Sequence, residues 1–91
     1  MNYKFKTTPA FRKALVRLSA PQKASAKKAF AIFKSDPFDP RLKTHKIQHL
    51  SSVYKKTIYS VRIEGDLRSI FFLDGDNVIS LDIGSHAIYL S

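Results

Sequence analysis

Histidine, arginine and lysine side chains are the groups in this chain best suited to moving protons or holding an anion. There is no cysteine, so thiolate nucleophiles, disulfides and zinc-thiolate sites are excluded together and chemistry falls to His, carboxylate, Tyr, Lys or Arg. In Tyr59-Ser60-Val61-Arg62-Ile63-Glu64 the odd positions are apolar, so a strand turns Arg62 away from Val61 and Ile63. Arg68 opens the next strand. A loop Glu64-Gly65-Asp66 sets Arg62 directly opposite Arg68, whereas a two-residue loop pairs Ile63 with Arg68 and separates the guanidinium groups; both registers are open. The first places like charges side by side, which favours a phosphate or sulfate between them. His86, in Asp82-Ile83-Gly84-Ser85-His86, follows the last strand on a turn, where an imidazole is accessible for proton exchange. His45 enters the sheet between Lys43 and Lys46. Its i, i+4 relation to His49 lies in no convincing helix and no carboxylate follows nearby, so a metal site is set aside. Asp66 beside Gly65 is also ordinary turn chemistry. No glycine-rich phosphate loop, Gly-x-Ser-x-Gly elbow or close carboxylate pair is present.

These residues need a scaffold, and the hydrophobic pattern supplies one. Tyr3 to Thr8 alternates aromatic and basic residues, the period of an edge or near-edge strand. Thr8-Pro9 is an N-cap followed by proline, and Phe11, Ala14, Leu15 and Leu18 continue at i, i+3, i+4, i+7, which predicts a helix of about ten residues. Ser19-Ala20-Pro21 repeats the start signal, and Ala26, Ala29, Phe30 and Phe33 form a second stripe ended by Asp36-Pro37-Phe38-Asp39-Pro40. The period then changes from 3.6 to 2. His45 to Leu50 is weakly strand-like, while Ile58 to Glu64, Arg68 to Leu73 and Asn77 to Ile83 are strong strands, with Asp74-Gly75-Asp76-Asn77 as a hairpin turn. The expected fold is α+β: an N-terminal strand, then a two-helix hairpin packed on one face of a curved antiparallel sheet, in the order β-α-α-β-β-β. Phe11, Leu15, Phe30, Phe33, Val61 and Leu81 are its expected core, and the other sheet face is partly open.

The chain has 91 residues, 44% of them hydrophobic. That bounds the molecule to one domain, residues 1–91, and is too apolar for a disordered basic tail. The longest apolar run, Ala29 to Phe33, is five residues, against the ~20 of a membrane span. The N-terminus has no apolar h-region, so a cytoplasmic, membrane-free protein is expected. Lys and Arg outnumber Asp and Glu by nine. Residues 1 to 50 carry twelve basic residues against Asp36 and Asp39, and the remainder is close to neutral. A field of that sign recruits phosphate backbones or an acidic protein.

The stretch Leu42-Lys43-Thr44-His45-Lys46-Ile47, then Tyr59 through Phe71, then Asp82-Ile83-Gly84-Ser85-His86 resembles the RelE/ParE superfamily of bacterial toxin-antitoxin toxins, and its YafQ-like branch above all. Phe33-Lys34-Ser35-Asp36-Pro37 is similar to the family's close of its second helix. The resemblance implies a type II toxin, an endoribonuclease that cleaves mRNA on the ribosome without a metal or other cofactor, by attack of a ribose 2′-OH on the adjacent phosphate. It implies a cognate antitoxin whose acidic or amphipathic segment covers the basic open face, with operator DNA met only through that complex. By the same resemblance His45 matches a histidine before strand two, His86 the histidine of the Gly-Ser/Thr-His tail and Asp66 an acidic residue in the central hairpin. Arg62 stands where the branch can carry histidine. Arg62 and Arg68 are then assigned to phosphate stabilisation, His86 to general acid and His45 to general base, the two being exchangeable. Tyr89 falls near a tail aromatic that stacks on a base or orients the phosphate, and Lys43 and Lys46 contact backbone phosphates. The fold's other activity, in ParE-like proteins, is inhibition of DNA gyrase without an active site. A plain basic RNA-binding module is a third possibility.

Overall fold

A computed structural model describes residues 2–85 and residue 88. The elements run β1 (Lys4–Thr7), α1 (Pro9–Val16), α2 (Ala20–Ser35), a 3-10 turn (Pro40–Leu42), β2 (His45–Lys46), α3 (Gln48–Tyr54), β3 (Ile58–Glu64), β4 (Leu67–Asp74) and β5 (Asn77–Gly84). Both long helices start where the sequence signals them. The Thr8 hydroxyl accepts from Phe11 N at 3.1 Å and donates to the Leu81 carbonyl at 2.9 Å, so one side chain caps α1 and ties it to β5. At α2, Ser19 and Gln22 form a reciprocal capping box, satisfying two amides that the first turn leaves without partners.

The sheet order is β1-β5-β4-β3-β2. Its centre is the expected antiparallel meander, but β1 pairs with β5 in parallel, Lys4 beside Asn77 and Thr7 beside Ser80, so the sheet is mixed rather than antiparallel throughout. The helical layer covers one face. There Phe33 meets Phe5, Phe30 and Phe71 edge-on at centroid distances of 5.5, 5.5 and 5.0 Å, and Ala29, Leu42, Val61 and Val78 close around them. Phe11, Ala26, Leu67 and Ile83 continue this layer beneath α1.

The second face departs from expectation. The weak strand expected over His45 to Leu50 is only His45–Lys46, and the chain then turns into α3, which buries Leu50 completely against Ile58 and Ile70. Leu81, expected in the core beneath the helices, packs with this opposite cluster instead. The reason is an irregularity in the β4–β5 ladder between Ile70 and Phe71, which leaves Leu81 without a partner and shifts the alternation by one residue. Ile88 joins the same cluster. Gly84 permits its close approach: a Cβ there would stand 2.9 Å from Ile88 Cγ2. Among the described residues no helix is long and apolar enough to cross a membrane.

Candidate active site

Cross-strand partners share a face, so the ladder defines what the uncovered end of the sheet presents. One row is His45, Ser60, Ile70 and Asp82; the next is Arg62, Arg68 and Gly84. The Arg62–Arg68 pairing is the register expected to favour an anion, reached by a different route. The turn itself is two residues, Gly65-Asp66, with Glu64 beside Leu67, and a bulge at Ile63 restores Arg62 to a position opposite Arg68. Gly65 has φ +45, a left-handed conformation that only glycine adopts cheaply.

His45 is held by a short series of local devices. Asp39 grips Arg41 through paired bonds of 3.0 and 2.9 Å and also accepts from the Arg41 amide, fixing the 3-10 turn whose Leu42 plugs the core. These contacts hold the Asp39 carboxyl down at about 2. Lys43 then takes the left-handed conformation, φ 50, and Thr44 anchors the chain by donating to the Pro37 carbonyl at 2.6 Å. The result turns the Lys43 carbonyl toward the His45 ring, 2.9 Å from Nδ1. A carbonyl can only accept, so Nδ1 carries the proton and the neutral ring keeps its lone pair on Nε2. His45 is exposed, and that nitrogen can take a proton from a ligand.

The arginines differ in setting. Arg68 is half-buried and donates through Nη1 to the carbonyls of Gly65 at 2.6 Å and Leu67 at 3.2 Å, which holds its guanidinium against the hairpin turn. Arg62 is exposed and makes no hydrogen bond or ion pair among the described residues. It stands where the two-residue β2 leaves β3 without a neighbour, and it also lines a cleft of about 190 Å³ with Lys28 and Arg41. Asp66 is exposed at the turn and borders a second cleft, about 290 Å³, with Gln22, Glu64 and Ser85. Ser85, at the end of β5, thus lies beside the Gly65-Asp66 turn. His86 and Tyr89 themselves lie outside the described residues.

The arrangement is therefore a strip along one end of the sheet. His45 and Arg68 are two strands apart, about 10 Å in backbone, with a stagger of two residues. Lys43 and Lys46 are exposed on either side of His45, Lys46 paired with Tyr59. His49 sits on α3, and among the described residues no three His, Cys, Asp or Glu gather as a metal ion requires. Sequence reasoning missed Asp82, a half-buried carboxylate in the same row as His45 whose Oδ1 accepts from the Ile83 amide. It was visible only as a polar residue between Leu81 and Ile83, and the ladder irregularity decides its face. Seven of the sixteen Lys and Arg, from Arg12 through Lys34, belong to the helical layer rather than to the sheet.

A helical hairpin laid on a five-stranded sheet is also the fold of solved RelE and YafQ structures. The chain has a TM-score of 0.74 to a chain of the E. coli DinJ-YafQ toxin-antitoxin complex, at 16% identity and covering 100% of both chains. It scores 0.70 against the archaeal RelE-RelB complex from Pyrococcus horikoshii, at 19% identity over 93% of this chain and 96% of that one. Against the toxin-antitoxin complex RelBE2 from Mycobacterium tuberculosis the score is 0.66, at 21% identity over 93% and 99%. No family model matches the sequence, and no curated protein matches it either.

Proposed function

We propose that this chain is the toxin of a type II toxin-antitoxin pair and that it cleaves mRNA on the ribosome. The observation that carries the proposal is the His45 ring, fixed through Nδ1 with Nε2 available, with Arg62 one strand away and Arg68 two strands away on the same face. His45 takes the proton from a ribose 2′-OH, and the freed oxygen attacks the adjacent phosphorus in line. The bond to the 5′-oxygen breaks, and that oxygen leaves with a proton from His86, giving a cyclic phosphate and a 5′-hydroxyl. Arg62 and Arg68 stabilise the charge of the five-coordinate phosphorus, where preformed donors are most effective. Lys43 and Lys46 hold neighbouring phosphates. Asp66, at the junction of hairpin and tail, orients the acid, and Tyr89 stacks on a base. All of this operates in the compartment where ribosomes translate, with an antitoxin as inhibitor.

Primer extension on mRNA after induced expression tests the proposal. The expected result is a set of cuts in phase with codons that vanish in His86→Ala and His45→Ala. Intact mRNA accompanied by gyrase-dependent DNA damage would replace this reading with a gyrase poison, and no growth arrest would leave a basic binding module.

A further inference from the structure

We propose, resting on the mRNA-cleaving reading above, that Asp82 is a positioning residue for the RNA. Its carboxylate confines the scissile phosphate to the β3 side of the arginine pair, within reach of His45, and leaves the β5 side to a nucleoside. Asp82 is half-buried, and it reaches this face only through the irregularity in the β4–β5 ladder. On β5, Val78 packs beneath the helices and Ser80 is buried opposite Phe71 of the same layer. Strict alternation from these two would carry residue 82 to that layer as well, where a buried charge is costly. The extra residue, Leu81, turns Asp82 to the opposite face instead, into the row of His45, Ser60 and Ile70.

In that row His45 stands at one end and Asp82 at the other, three strands or about 14 Å apart in backbone, and Arg62 and Arg68 occupy the two middle strands of the next row. Arg68 and Asp82 are diagonal neighbours on adjacent strands, about 7–8 Å apart, and Arg62 is one strand farther away. Among the described residues the two form no ion pair. The Arg68 guanidinium is tied to the hairpin carbonyls, and Asp82 Oδ1 accepts from the Ile83 amide at 2.8 Å while Oδ2 accepts from no described residue. The carboxylate charge is therefore directed at whatever approaches Arg68 from the β5 side. A phosphate there meets a like charge, whereas a ribose hydroxyl or a base N–H meets an acceptor. The strip is graded from a proton acceptor through two cations to an anion, and an RNA strand, in which phosphates alternate with nucleosides, fits it in one register.

The test uses the full-length chain with Asp82→Asn and Asp82→Glu. Asparagine keeps an oxygen for the Ile83 amide and removes the charge, whereas glutamate keeps the charge. A thermal melt checks that each variant folds, and Asp82→Ser, a smaller neutral acceptor, replaces the asparagine variant if that one does not. Primer extension on ribosome-bound mRNA should show Asp82→Asn cutting the neighbouring phosphate at least roughly tenfold more often, relative to its main cut, than the unaltered chain does, while Asp82→Glu keeps the original phase. A 2′-O-methyl RNA hexamer, which cannot be cleaved, should bind Asp82→Asn at least roughly threefold tighter at low salt, a margin that shrinks as salt rises. Unchanged phase or unchanged affinity in Asp82→Asn overturns the proposal. Scattered cutting in both variants also overturns it, since Asp82 then only braces the bulge. If the unaltered chain cleaves nothing, the nuclease reading falls and the hexamer decides alone: tighter binding by Asp82→Asn keeps Asp82 as the group that excludes phosphate from the β5 side, and equal binding removes it.

Discussion

His45 owes its orientation to a backbone conformation that lysine adopts reluctantly. Lys43 at φ 50 costs of order 1–2 kcal/mol, yet that residue turns its carbonyl onto Nδ1 and so chooses the tautomer. Because the ring is exposed, His45→Ala should change stability by less than about 0.5 kcal/mol while lowering cleavage by roughly 10²- to 10⁴-fold. A single-turnover assay on purified ribosomes alongside a thermal melt separates the two effects. The Asp39–Arg41 clasp sets up the same segment and gives a pH signature. Its carboxyl titrates at about 2 in the folded chain against an ordinary 3.8. The lowered value means that the ionised form is favoured by folding. This contribution is complete above about 4, declines below that, and is lost as pH falls through 2. Carboxyl carbon NMR should find the midpoint near 2, returning toward 3.8 in Arg41→Ala.

At the scale of elements, α3 is what sequence reasoning could not supply. Gln48–Tyr54 is seven residues with no side-chain cap, and Ser51, Ser52, Val53 and Tyr54 are indifferent helix formers. The helix exists because Leu50 is buried against β3 and β4, and because the Ser51 hydroxyl donates to the Ile47 carbonyl and accepts from the Ile58 amide. Packing overrides propensity here, and packing is nonlocal. Leu50→Ala should cost about 2–5 kcal/mol in chemical denaturation and expose the open face. Lys55 closes the helix at φ 56, so Lys55→Gly should stabilise the fold by about 0.5–1 kcal/mol, read as a higher melting temperature. By contrast α1 and α2 were legible from Thr8-Pro9 and Ser19-Ala20-Pro21 alone, because a cap is a contact between neighbours in sequence. The arginine pair was legible only as one of two registers. Which holds depends on the bulge at Ile63, and nothing in the strand's alternation announces it.

For the molecule as a whole, Phe33 is the hub on which helices and sheet agree. It is 2% exposed and touches rings from β1, α2 and β4. Phe33→Ala should therefore cost about 3–5 kcal/mol, a large part of a small domain's stability, and denaturant titration measures it. The apolar spacing announced this residue, since a stripe on a helix must face something. The direction of β1 was not announced, because a strand's own residues do not say whether its neighbour runs with it or against it.

That parallel seam between β1 and β5 joins segments 73 positions apart at Thr8 and Leu81. Loops of such span close late, after hairpins have formed from near neighbours, and a short border strand is the first to peel away. The amides of Lys4 and Thr8, bonded to the carbonyls of Asp76 and Ser80, should exchange with deuterium sooner than those of β4. Detachment of β1 also removes Phe5 and Lys6 from the cleft of about 830 Å³ that they wall together with α1 and α2. Any ligand held in that cleft must then oppose the peeling by mass action, so its binding should raise the protection of the β1 amides.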